Sequence, residues 1–152
     1  MRTVFPIAAL LVLSLNIGPV RAASPNSSLP DQQSIDALEA RADLAQPREQ
    51  CFLYSQVVQQ MTELSIRQYK AGEVAKATGL LQQIQRIAKK IHLSVNDDDK
   101  RLKNAELMLS HTAFRLSEML QASSVEDRPL VEQTLAQVTD AKNAALMQVF
   151  RK

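Results

Sequence analysis

Along most of this chain the apolar residues recur every three or four positions, the period of one face of an α-helix. The cleanest stretch is Glu73 to His92. There Val74, Ala77, Leu80, Leu81, Ile84, Ile87, Ala88 and Ile91 form a stripe, and Lys76, Gln82, Gln83, Arg86, Lys89 and Lys90 form a polar back. Another helix is predicted over Pro47 to Lys70, with Tyr54, Val57, Val58, Met61, Leu64, Ser65 and Gln68 on one face. Pro47 suits its first turn, where no backbone N–H is needed. Ala71-Gly72-Glu73 then makes a tight turn, because glycine tolerates the left-handed conformation that ends helices.

Ser94-Val95-Asn96-Asp97 interrupts the pattern. A further helix is predicted from there to about Ala122, its start favoured by Asp97, Asp98 and Asp99 at the positive end of the helix dipole. Ser123-Ser124 is read as the cap of a last helix running to Phe150, with Glu126 and Asp127 in its first turn and Val131, Leu135, Val138, Ala145, Leu146 and Val149 inward. Ahead of these, Ser34 is read as the cap of a short helix to about Ala45, with Ile35, Leu38 and Ala42 on one stripe. No stretch alternates like a strand. The prediction is an all-α fold: an antiparallel, up-and-down helical bundle of four long helices plus one short N-terminal helix. Short connections favour antiparallel neighbours, and the object should be about 35 Å long at about 1.5 Å per residue.

The N-terminus follows a different rule. Met1-Arg2 is a charged start, Val4 to Ile17 is almost wholly apolar, and Gly18-Pro19 precedes Val20-Arg21-Ala22. That is the order of a secretory signal peptide, with cleavage expected after Ala22. The apolar run is shorter than the roughly 20 residues that span a bilayer. Residues 1–22 are therefore expected to be a signal peptide, 23–33 a flexible polar leader, and 34–152 the helical domain. The product is expected to be exported, periplasmic or secreted, with no membrane association after cleavage.

Cleavage alters the charge argument. The full chain has 18 Lys+Arg and 16 Asp+Glu. Residues 1–22 hold Arg2 and Arg21 and no acid, so the remainder is formally neutral. A neutral domain offers no electrostatic footprint for nucleic acid. Only 4% of residues are aromatic and there are 3 Gly, which argues against a β-sandwich or barrel. The single Cys51 excludes an intrachain disulfide framework. An odd thiol in an exported protein is either buried or joined to another chain. Beside Phe52-Leu53-Tyr54, burial is the leading expectation for Cys51, and an inter-chain disulfide is the alternative.

Reactive constellations are sparse. His92 and His111 stand on different predicted helices, and no Glu-x-x-His pair occurs. A calcium loop starting at Asp97 would need Gly and Glu where Leu102 and Met108 stand. There is no Gly-x-Ser-x-Gly elbow, no Cys-x-x-Cys-His and no Gly-rich phosphate loop. No cofactor, metal site or catalytic residue is predicted, and the chain is not expected to be an enzyme. Arg48–Glu49 and Arg115–Glu118 read as ordinary surface pairs.

The fourth segment, with the short helix counted as the first, is more informative. Leu102, Ala105, Leu109, Ala113, Leu116 and Leu120 make one apolar face of the helix ending at Ala122. The opposite face mixes Asn104, Leu107, Met108, His111, Phe114, Arg115 and Glu118. A helix apolar on both sides is usually sandwiched, which would make it the centre of the molecule. Either the short first helix or the leader covers the second face, or Leu107, Met108, His111, Phe114 and Arg115 form a surface for a protein partner or for self-association.

Leu64-Ser65, Tyr69-Lys70-Ala71-Gly72-Glu73-Val74, Ala77 and Leu81 resemble the middle of one tetratricopeptide repeat, with small residues where two helices cross and Gly at the turn. A solenoid would repeat this about 34 residues away, but Leu38 and Glu106 stand where Gly72 would recur, and Asp43 and His111 where Ala77 would. The resemblance implies a single helical hairpin over 64–81. More broadly, Pro47-Arg48-Glu49-Gln50-Cys51-Phe52-Leu53-Tyr54 and Lys100-Arg101-Leu102-Lys103-Asn104-Ala105-Glu106 resemble segments of small secreted helical proteins of bacteria, which implies no activity. The expected role is an exported, non-enzymatic protein acting through protein–protein contacts. The alternatives are a periplasmic chaperone or envelope-stress sensor that binds unfolded chains, and a small metal-binding or catalytic helical protein. The Leu-Thr-x-x-Gln signature of the periplasmic stress chaperones is missing.

Overall fold

A computed structural model describes residues 29–93 and 99–151. Residues 1–22, the leader up to residue 28, and Asp97-Asp98 lie outside the described residues. Among the described residues there are five helices and no strand: α1 (Gln32–Leu44), α2 (Pro47–Lys70), α3 (Val74–Leu93), α4 (Asp99–Ala122) and α5 (Arg128–Val149). The helical class is as predicted, and α2 spans the predicted residues with Pro47 in its first turn.

Two helix starts differ from expectation: at α1 a carboxylate takes the capping place expected of a serine, and at α5 the serine holds a turn ahead of the helix. α1 begins at Gln32, not after Ser34. Its cap is Asp31, whose carboxylate accepts the Ser34 backbone N–H at 2.7 Å, while the Ser34 hydroxyl accepts the Asp31 N–H at 3.2 Å. This reciprocal box satisfies two otherwise orphaned donors. α5 begins at Arg128 rather than just after Ser124. Ser123 is buried and donates to the Met119 carbonyl at 2.7 Å. Ser124 is held in a turn: its hydroxyl donates to Asp127 Oδ2 at 2.7 Å, and its N–H donates to the Tyr69 hydroxyl at 2.9 Å. Tyr69 in turn donates to Asp127 at 3.0 Å, so the end of α2 clips the α4–α5 turn.

The α2–α3 turn carries a complete glycine stop. The Glu73 N–H donates to the Gln68 carbonyl at 2.8 Å and the Gly72 N–H to the Tyr69 carbonyl at 3.0 Å, with Gly72 at φ +79°. Beyond it α3 crosses α2 closely enough for the buried Ser65 hydroxyl to donate to the Ala77 carbonyl at 3.1 Å.

Helix neighbours are set by packing. α2 contacts α1, α3 and α4, and α5 contacts α3 and α4; among the described residues α3 and α4 do not touch. Arg101 of α4 pairs with Glu49 of α2, and Arg115 with Glu63. Both pairs rise along the two helices together, so α2 and α4 run parallel. α1 runs antiparallel to α2, because Tyr54 meets Asp43 near one end and Arg67 meets the Pro30 carbonyl near the other. The chain thus lays two hairpins, α2–α3 and α4–α5, side by side in the same direction. The expected antiparallel adjacency of α3 and α4 does not occur.

The centre of the molecule is α2, not α4 as expected. Cys51, Leu53, Tyr54, Val57, Val58, Met61, Leu64 and Ile66 are buried around most of its circumference, with Ser55, Thr62 and Ser65 between them. Buried hydroxyls are tolerated where they bond the carbonyl one turn back, as Ser55 does to Cys51 and Thr112 to Met108. Ile84, Ile87, Ile91, Leu109, Leu116, Val131 and Val138 complete the core from the other helices.

α1 is latched by charge. Glu39 pairs with Arg86 at 2.9 Å, and Lys90 with Asp43 at 2.7 Å and Glu39 at 3.7 Å. Lys90 also lies 5.2 Å over the Tyr54 ring, whose hydroxyl donates to Asp43 at 2.7 Å. The bonds from Lys90 and Tyr54 hold the Asp43 carboxyl below the usual range. Burial, aided by the Asp43 bond, pushes the Tyr54 phenol up to about 12. Part of the predicted polar back of α3 is therefore an attachment strip for α1.

Candidate functional site

α1 lies against α2 and makes no contact with α4 among the described residues. Among the described residues nothing covers the outward side of α4; the leader, the other expected cover, lies outside them. Leu107 is 65% exposed and Phe114 59%, and His111 between them is exposed as well. Leu107, His111 and Phe114 stand at steps of four and three, so they form one stripe along a rigid helix.

The five predicted residues of this face do not act alike. Met108 is half-buried. Arg115 turns toward α2, where its Nε and Nη2 donate to the two Glu63 carboxylate oxygens at 2.9 and 3.1 Å, and its Nη1 also pairs with Glu118. The forked geometry matches guanidinium to carboxylate. The Arg115 bond is the main cause that lowers the Glu63 carboxyl, and His111 adds to it; the same pairing raises the Arg115 guanidinium. Arg115 is thus a strut between α2 and α4 rather than a free contact. The exposed triad is Leu107, His111 and Phe114, and Glu63 is the partner that sequence reasoning missed.

Thr112 and Met119 also belong to the buried side of α4, alongside the predicted Leu102, Ala105, Leu109 and Leu116. A groove of about 650 Å³ between α3 and α5 was likewise not foreseen; Ala88, Ala141 and Ala144 line it, with Lys89, Asp140 and Met147 among its borders. Ala88 stands on the predicted apolar stripe of α3, but Ala141 and Ala144 look like filler in the sequence, and nothing marks a groove there.

Cys51 is buried at 4% exposure, and burial pushes its thiol up to about 11. Such a thiol is neutral near pH 7 and poorly placed for an inter-chain disulfide or for nucleophilic attack. His92 belongs to α3 and His111 to α4, and these two helices do not touch. Among the described residues no three His, Cys, Asp or Glu side chains are grouped to hold a metal ion. No helix among them is long and apolar enough to cross a membrane.

No family model, curated protein or solved structure matches this chain.

Proposed function

We propose that this is an exported, non-enzymatic helical protein that works through protein–protein contact, with Leu107, His111 and Phe114 of α4 at the contact and Met108 and Arg115 at its edge. The supporting observation is the exposure of two large apolar side chains on one stripe of a helix pinned by the Glu63–Arg115 fork. Large apolar side chains in solvent gain most from being covered, about 1.5–3 kcal/mol each when fully buried. Export is supported by the order of charge, apolar run and small residues over Met1 to Ala22. In this reading 34–152 is the working domain, and α2–α3 is a single hairpin of the tetratricopeptide type, supported by the glycine stop at Gly72 and the close Ser65–Ala77 crossing.

The test is affinity capture from envelope extract with the mature chain and with a Leu107→Ser/Phe114→Ser variant. A partner retained by the first and lost by the second is expected. An identical set of retained proteins, or none for either, overturns the proposal. Promiscuous holding of unfolded chains is the second reading, favoured by the same exposure. It requires suppression of client aggregation at stoichiometric ratio that the double variant loses.

A further inference from the structure

Resting on that reading, we infer that the occupant of the α4 face is a second copy of this chain, docked with its α4 antiparallel to the first. The exposed stripe extends beyond the triad at both ends. It runs Lys103, Leu107, His111, Phe114, Glu118, all exposed and all at steps of three or four on α4. The order along the helix is positive, apolar, imidazole, apolar, negative, over about 22 Å at about 1.5 Å per residue.

A two-fold axis passing between Ser110 and His111 maps this order onto itself. In an antiparallel pair of helices, contacting positions have a constant sum. With that axis, Leu107 of one copy meets Phe114 of the other, and Phe114 meets Leu107. The same register sets Lys103 opposite Glu118 at both ends. This is the self-complementary patch that a two-fold interface requires. A parallel pairing would place Lys103 on Lys103 and Glu118 on Glu118, and like charges in register disfavour it. Glu118 is already oriented by Arg115, which Glu63 holds, so one end of the pair is preorganised. A contact through one helix stripe is at the small end of specific interfaces, so the dimer should be reversible and dependent on concentration.

The experiment is sedimentation velocity on the mature chain from about 1 µM to about 1 mM, the affinity span of weak protein pairs. A monomer–dimer equilibrium is expected. Lys103→Glu alone and Glu118→Lys alone should each weaken it by about tenfold or more, because each sets two like-charge contacts across the axis. Lys103→Glu with Glu118→Lys exchanges both cross-axis pairs and should recover much of it, the lost Arg115–Glu118 pair accounting for the remainder. Leu107→Ser/Phe114→Ser should be monomeric while keeping its helical circular dichroism. A chain that stays monomeric throughout overturns self-pairing but leaves the capture experiment above to judge the contact face. A dimer indifferent to the charge reversals, or not rescued by the exchange, overturns the antiparallel α4 geometry.

Discussion

Phe114 and Leu116 are two positions apart on α4, yet Phe114 is 59% exposed and Leu116 is fully buried. Truncating each to alanine gives opposite expectations. Leu116→Ala removes a buried isobutyl group and leaves a cavity beside the α2 and α5 side chains, at a cost of about 3 kcal/mol within the range for such changes. For a domain of this size that corresponds to a fall in Tm of about 10 °C. Phe114 has only about two-fifths of its surface covered, so its truncation forfeits about 1 kcal/mol of burial. Alanine's better helix propensity returns roughly half of that. Phe114→Ala should therefore shift stability by about 0.5 kcal/mol or less. Urea unfolding followed by circular dichroism, with slopes compared so that only midpoints are interpreted, measures both. A loss for Phe114→Ala equal to that for Leu116→Ala in the dilute, monomeric chain would mean that the chain itself covers this side of α4, and the contact proposal would go with it.

Glu63→Gln removes the acceptor of the Arg115 fork, and at pH 7 it should cost about 1 kcal/mol, a partly exposed pair being worth little more. Because Arg115 lowers the Glu63 carboxyl, this stability is present above the ordinary glutamate value and is lost as pH falls. The gap between wild type and variant should close below about pH 4.3, and a gap independent of pH in acid titrations of stability would count against the pairing. Cys51, shifted from 9.0 to about 11, should react with a thiol reagent at pH 8 about a hundredfold more slowly in the folded than in the urea-unfolded chain, before any further protection from burial. Equal rates would show the thiol exposed. Gly72→Ala should cost about 1 kcal/mol in the same unfolding assay, since Gly72 is at φ +79° with open space where a Cβ would lie and the penalty is conformational alone; no change would place the turn in another conformation.

The local parts of this molecule were legible because their causes are local. The three-to-four spacing along Val74 to Ile91 and Tyr54 to Leu64 marks helix faces without reference to anything else in the chain, and Gly72 marks a stop because glycine alone enters the left-handed region freely. Leu107 and Phe114 stood out for the same reason, as apolar residues on the wrong side of an already amphipathic helix. The tertiary structure decided what those faces meet. An apolar stripe says that it will be buried but not against which helix, so α2 rather than α4 became the centre, and the two hairpins came to lie in parallel. Charged residues are still less informative in isolation: Arg115 becomes a strut only because packing brings Glu63 to it from 52 positions away, and Arg86 and Lys90 become a latch only because α1 folds back over them. Spacing sets which side of a helix is greasy; the partners of its charges, and the side left open to solvent, depend on contacts between residues that no short stretch of sequence contains together.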